Sequence, residues 1–230
     1  FRDSLNIGGI MSKKVAVILS GCGFLDGSEI HEAVLTLYFL SKHKADTTIF
    51  APDINQMNVI NHSTKGVASE TRNVLIESAR IARGKIQPLP NAKIDDIDAV
   101  ILPGGFGAAK NLSNFAVKGS EAELNLQLKE FLTMALKAKK TIGAICISPA
   151  LIATFFKGSE THPLLTIGND TQTAKTLESM GAKHKNRSVN DIEFDEKLKI
   201  VTTPAYMYDA PIAQVGEGIE KLVKKVLEVC

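Results

Sequence analysis

Short apolar, β-branched runs alternate along this chain with stretches in which apolar residues return every third or fourth position. Runs of the first kind read as strands and the second period reads as amphipathic helix, so the alternation predicts βαβ units and a mostly parallel sheet covered by helices. Residues 15–20 predict the first strand, broken by Gly21-Cys22-Gly23. Asp26, with Glu29 three residues on, predicts a capping box and a helix running to about His43. Residues 47–51 predict a second strand stopped by Pro52-Asp53, and residues 55–66 are polar and irregular, with room for a hairpin insert. Ser69 predicts the cap of a helix running through Arg83, with Gly84 as its stop. Residues 99–102 form a buried strand ending in Pro103-Gly104-Gly105. In residues 120–139, Leu124, Leu128, Phe131, Leu132, Ala135 and Leu136 make one stripe, which is the mark of core packing. Residues 141–145 predict the next strand, turning at Cys146 into a helix over 148–156, followed by a loop over 157–163. A helix over 171–180 ended by Gly181, a strand over 200–203 leading into Pro204-Ala205-Tyr206, and a closing helix over 211–229 complete the pattern. With no internal repeat or linker, residues 13–230 read as one α/β domain.

Composition narrows the partners. Apolar residues make up 44% of the 230, charged residues 23%, and the formal charge is +2. That balance gives no reason to expect nucleic acid or an anionic membrane as partner. Three cysteines, Cys22, Cys146 and Cys230, with no CxxC spacing, argue against a disulfide framework or a structural zinc site and favour a reducing compartment. Met11 resembles a natural start, so residues 1–12 read as a leader or added residues outside the fold. The run from Lys13 to Cys22 mimics a lipoprotein signal, but its apolar part, residues 15–19, is shorter than the usual stretch of about 7–15 residues. Residues 143–156 are weakly polar but short and contain Pro149, so no membrane span is expected.

Cys146 is the sharpest chemical feature. An apolar strand delivers it, Ala144 and Ser148 stand two residues to either side, and Pro149 falls in the first helical turn. A nucleophile elbow needs this arrangement, because its tight turn leaves no room for bulk two residues away. The dipole of the following helix is expected to lower the thiol pKa. The competing reading is a buried core cysteine, a common fate of a lone thiol. Gly104 and Gly105 follow a central strand and free backbone N–H groups for a ligand; with the N–H of Ile147 they would form an oxyanion hole, whereas alone they describe an ordinary βα turn. Glu32 lies on the first helix near the ligand-binding edge of the sheet, where a buried carboxyl would stay protonated beside Cys146. Asp26, Glu29 and His31 share that region, and pattern alone leaves the choice among them open. Cys22 sits at the same edge as a pocket residue or a small turn residue, His162 reads as a surface histidine able to approach Cys146, and Cys230 is incidental.

The elbow cysteine, the Pro-Gly-Gly turn and the helix-one glutamate resemble the class I glutamine amidotransferase-like superfamily and its ThiJ/PfpI branch. Longer strings are similar to the ElbB family, described as isoprenoid-biosynthesis proteins with an amidotransferase-like domain and as glyoxalases. They are Ser20-Gly21-Cys22-Gly23, residues 26–35, residues 71–77, residues 103–116 and residues 200–207, and the likeness extends over nearly the whole chain from Lys13. The resemblance implies a flavodoxin-like three-layer sandwich, a cytoplasmic homodimer, and conversion of glyoxal to glycolate without cofactor or metal. It also implies that a glutamate on the first helix contacts the elbow cysteine, and spacing puts Glu32 there, with Glu29 one turn earlier.

Two departures limit the activities implied. Amidotransferases complete a triad with a late His-x-Glu pair; Thr203-Pro204-Ala205-Tyr206-Met207 stands in that region, so glutaminase activity is not expected. PfpI-type peptidases place a histidine directly after the cysteine, and here it is Ile147, which argues against peptidase activity. The leading expectation is therefore a Cys146-dependent glyoxalase acting on small aldehydes, and repair of early glycation adducts would use the same steps. The rivals are a stress or redox-sensing module built on reversible oxidation of Cys146, and a degenerate amidotransferase-like subunit that binds a partner enzyme.

Overall fold

A computed structural model describes residues 12–230. The leader expectation covers residues 1–12 and, except for Ser12, lies outside the described residues. Ser12 donates its hydroxyl to the carbonyl of Lys44 at 2.6 Å. The elements in chain order are β1 (Lys14–Ile18), α1 (Ile30–Lys42), β2 (Asp46–Ala51), α2 (Val74–Ile81), β3 (Gln87–Pro88), β4 (Ala99–Leu102), α3 (Phe106–Lys110) and α4 (Phe115–Lys118). They continue with α5 (Leu126–Lys137), β5 (Thr141–Ile145), α6 (Pro149–Phe156), β6 (Leu164–Leu165), α7 (Thr171–Ser179), β7 (Lys183–His184), β8 (Glu193–Asp195), β9 (Ile200–Thr203) and α8 (Ile212–Val229).

The seven-stranded sheet has the order β3-β2-β1-β4-β5-β9-β8 and is parallel except for β8, which runs antiparallel to β9. The expected three-layer α/β sandwich is what forms. Alternation along β1 shows why: Val15 and Val17 pack with Ala33 and Leu40 of α1 and Ile219 and Leu222 of α8, while Ala16 and Ile18 join Leu128, Phe131 and Leu132 of α5 on the other face. Strand order reverses direction between β1 and β4, and open sheets of this kind bind ligands in the crevice beyond the strand ends at that point. Among the described residues no helix is long and apolar enough to cross a membrane.

Three helix starts differ from expectation, two of them because of contacts distant in sequence. Asp26 does not cap α1; it is buried and accepts from the N–H of Ile60 at 2.7 Å. Glu29 is the cap instead, its Oε2 accepting from Glu32 N–H at 2.7 Å. Ser69 caps nothing: α2 starts at Val74, capped by Asn73, after the N–H of Gln56 pairs with the carbonyl of Arg72 at 2.8 Å and that of Val74 with the carbonyl of Ile54 at 2.8 Å. Residues 120–125 precede α5, whose cap is Asn125.

Gly143 lies where β5 passes beneath α8. A β-carbon there would fall 3.0 Å from Leu222 Cδ2, 3.2 Å from Ile101 Cγ1 and 3.2 Å from Val226 Cγ2. Overpacking of a close-packed core typically costs about 1–3 kcal/mol. Gly143→Val is therefore expected to lower stability by that amount in chemical denaturation, and an unchanged midpoint would show that α8 yields freely.

Candidate active site

Cys146 stands between β5 and α6 with a backbone φ of +61°. A residue bearing a β-carbon pays about 1–2 kcal/mol to adopt that conformation. The surroundings hold it there: Cys146 N–H donates to the carbonyl of Thr203 at 2.9 Å, and Ser148 N–H donates back to that of Ile145 at 3.0 Å. The Ser148 hydroxyl donates to the carbonyl of Pro103 at 2.8 Å, tying the elbow to the turn after β4.

Glu32 is fully buried on α1 and meets the elbow from the other side. Its Oε2 accepts from Gly104 N–H at 2.9 Å and its Oε1 from Tyr206 N–H at 3.3 Å, and its carboxyl hydrogen-bonds the Cys146 thiol. The approach is so close that a β-carbon on Gly104 would fall 2.5 Å from Cys146 Cβ and 2.7 Å from Glu32 Oε2. The next residue, Gly105, has φ +95°, and its N–H, with that of Ile147, donates to the sulfur.

Burial sets the protonation of the pair. Removal from water, then the nearby charge of Glu29, push the Glu32 carboxyl up to about 8, against the three hydrogen bonds that favour its charged form. Burial also pushes the Cys146 thiol up, followed by repulsion from ionised Glu32 and the hydrogen bond to it; the Gly105 and Ile147 N–H groups oppose this without prevailing. The low thiol pKa expected from the helix dipole is thus corrected: desolvation of a buried sulfur beside a carboxyl outweighs a short helix end.

Other candidates fall into place around this pair. Glu29 is half-buried at the edge of an open, mostly apolar cleft above Cys146, and its carboxyl is pushed up by burial. Gly104 is not an oxyanion donor, since its N–H is taken by Glu32. Cys22 does not line the cleft; it lies near Glu77 and Arg80, and burial followed by Glu77 pushes its thiol up. His31 does not touch the sulfur: its Nδ1 pairs with the Tyr206 hydroxyl at 2.9 Å. His162 is held by the carbonyl of Gly181 at 2.7 Å, away from the elbow, and Cys230 closes α8. Sequence reasoning missed Tyr206, whose N–H holds Glu32, although Pro204-Ala205-Tyr206 follows β9 at the same sheet edge. It also missed Phe24, Phe106 and Phe115, which line the cleft from loops and short helices lacking any periodic signal.

A mostly parallel sheet of this order, with a cysteine on a strained strand-to-helix elbow beside a buried glutamate, defines an amidotransferase-like α/β protein. The relatives make the family specific. The chain is 47% identical over 227 residues to the rat ES1 protein homolog, mitochondrial, covering 94% of this chain and 84% of that one. It is 46% identical to the human glutamine amidotransferase-like class 1 domain-containing protein 3, mitochondrial, covering 94% and 83%. The chain belongs to this ES1 family of glutamine amidotransferase-like class 1 proteins. The crystal structure of an isoprenoid biosynthesis protein with amidotransferase-like domain from Ehrlichia chaffeensis superposes with a TM-score of 0.90 at 35% identity, covering 95% of this chain and 99% of that one. No family model matches the chain. The relatives' mitochondrial names overturn the expectation of a cytoplasmic protein.

Glu32→Gln removes the charge that the carboxyl sets beside the sulfur. Half-maximal iodoacetamide labelling of Cys146, expected above pH 9.0 in the native protein, should move to lower pH in the variant. Glu32 also links stability to pH. Its folded-state pKa lies above its unfolded one, so its contribution is complete below about 4.5 and is lost as pH rises through about 8. Over that window the native protein should lose on the order of 5 kcal/mol relative to Glu32→Gln. Parallel stability curves for the two proteins would show that Glu32 is ionised throughout.

Proposed function

We propose that the protein is a glyoxalase-type enzyme that converts 2-oxoaldehydes to 2-hydroxy acids through Cys146, with Glu32 as the proton carrier. The observation that carries this reading is the convergence of one thiol, one buried carboxyl and two N–H donors on a single point at the floor of a cleft. Ionised Glu32 takes the thiol proton as sulfur adds to the aldehyde carbon. The resulting alkoxide, held by the N–H groups of Gly105 and Ile147, takes that proton back to give a hemithioacetal. Glu32 next removes the hydrogen on this carbon, and the electron pair moves toward the neighbouring carbonyl to give an enediolate. It returns the proton to the second carbon, while the hydroxyl proton passes between the two oxygens and leaves a thioester. Water adds to the thioester, the carbon–sulfur bond breaks, and the hydroxy acid leaves as the thiol is restored. The net reaction is an internal redox exchange with addition of one water, so no external oxidant is consumed. The same proposal puts this activity in mitochondria, a reading supported by the names of the relatives.

The redox-sensor reading is weaker on one specific ground. Sensor cysteines react as exposed thiolates, whereas Cys146 is 7% exposed and its thiol is pushed up.

Turnover of 2-oxoaldehydes is expected to vanish in Cys146→Ala and to persist in Cys22→Ala. Glu32→Gln should cost about 10²–10⁴-fold, the range for loss of a general base. In the native protein kcat/KM should rise with pH through about 8, as Glu32 ionises. Hydroxy acid formation that survives Cys146→Ala would remove the scheme.

A further inference from the structure

The cleft above Cys146 is larger and more apolar than a dialdehyde as small as glyoxal requires. Its volume is about 390 Å³, room for on the order of a dozen waters at about 30 Å³ each. Phe24 and Phe106 stand at it with 43% and 48% of their surface exposed. A backbone hydrogen bond of 2.7 Å from Phe106 N–H to the carbonyl of Phe24 holds them together. Phe115 and Tyr206 extend the aromatic lining. Large apolar side chains gathered and half-exposed at the entrance to a reactive centre lower their free energy when an apolar ligand covers them.

Charge in the cleft is one-sided. Glu29 and Asp170 line it, and among the described residues no lysine, arginine or histidine does. Both acids are fixed in place as helix caps, Glu29 by Glu32 N–H and Asp170 by Thr173 N–H, each at 2.7 Å. Two basic groups stand beside the lining: Lys110 lies 5.5 Å from the centre of the Phe106 ring with its ammonium bonded to the Leu25 carbonyl at 2.9 Å and to Asn58 Oδ1 at 3.3 Å, and His31 is held at the Tyr206 hydroxyl at 2.9 Å. A carboxylate or phosphate on the substrate would enter a low-dielectric space facing acids and would have no counter-charge there.

We infer that the cleft selects uncharged 2-oxoaldehydes bearing an aromatic or bulky apolar group, with Phe24 and Phe106 gripping that group and Glu29 and Asp170 excluding anions. The inference rests on the Cys146–Glu32 chemistry proposed above.

The test compares kcat/KM for glyoxal, phenylglyoxal and 4-carboxyphenylglyoxal, with hydroxy acid measured directly and Cys146→Ala as the blank. Phenylglyoxal plus water gives mandelate, so formation of the product is unambiguous. Phenylglyoxal is expected to exceed each of the others at least tenfold. Phe24→Ala and Phe106→Ala should each shrink the phenylglyoxal-to-glyoxal ratio severalfold. Asp170→Asn, which keeps a capping side chain, should narrow the gap between phenylglyoxal and its carboxylate. Turnover with equal rates for glyoxal and phenylglyoxal, or for phenylglyoxal and its carboxylate, overturns the inference and leaves the chemistry standing. Absence of Cys146-dependent turnover of any of the three overturns the chemistry, and binding then decides the selectivity. In calorimetry with Cys146→Ala, mandelamide should bind at least tenfold more tightly than mandelate and glycolamide, and equal affinities would sink the inference.

Discussion

Everything around the elbow follows from the burial of one carboxyl. Glu32 has no exposed surface, and a carboxyl in that position is tolerated only if its oxygens find donors in place of water. The donors come from the turn after β4 and the turn after β9, and the carboxyl's third partner is the thiol on the turn after β5. One side chain on α1 therefore fixes the relative positions of three strand ends. Gly104 is required because the approach leaves no space for a β-carbon, and α1 cannot shift without orphaning either the carboxyl or the N–H groups it satisfies.

Backbone strain is distributed accordingly. Among the described non-glycine residues with positive φ, five are lysines or an arginine outside helices and strands: Lys44, Lys65, Arg83, Lys139 and Lys199. The other two, Cys146 at +61° and Ala205 at +45°, are buried and adjoin the site. Such conformations cost on the order of 1–3 kcal/mol each and persist where neighbours over-determine them. Here Cys146 is pinned through its N–H to Thr203, and Ala205 precedes the residue whose N–H reaches Glu32. The strain at one turn and the strain at the other are held by the same group of hydrogen bonds.

What could be read from the sequence was whatever depends on neighbours along the chain. The strands over 99–102 and 141–145 and the elbow at Cys146 announce themselves through apolar runs ending in glycine or proline. Glu32 and Glu29 lie on one side of α1, and they are separable by family likeness and by capping, which accounts for an acid at Glu29 in the first turn but not for one at Glu32 beyond it. The rest depended on contacts far apart in sequence. Asp26 has the composition of a cap, yet Ile60 claims its carboxylate. Ser69 has the same composition, but backbone pairing of Gln56 with Arg72 delays the helix to Val74. The protonation of Cys146 was misjudged for a related reason: a helix end is visible in a sequence, whereas the depth at which a sulfur is buried is not.

The edges of the sheet bear on how it could grow by strand addition. Its outer strands are its shortest, β3 with two residues, one of them Pro88, and β8 with three. Glu193 of β8 is buried and paired with Arg187 at 2.7 Å. Strand addition needs a run of free N–H and C=O groups along an edge, and edges of two and three residues, one carrying a proline that has no N–H, offer only a short run. Both edges are thus poor templates for growth of the sheet by backbone pairing.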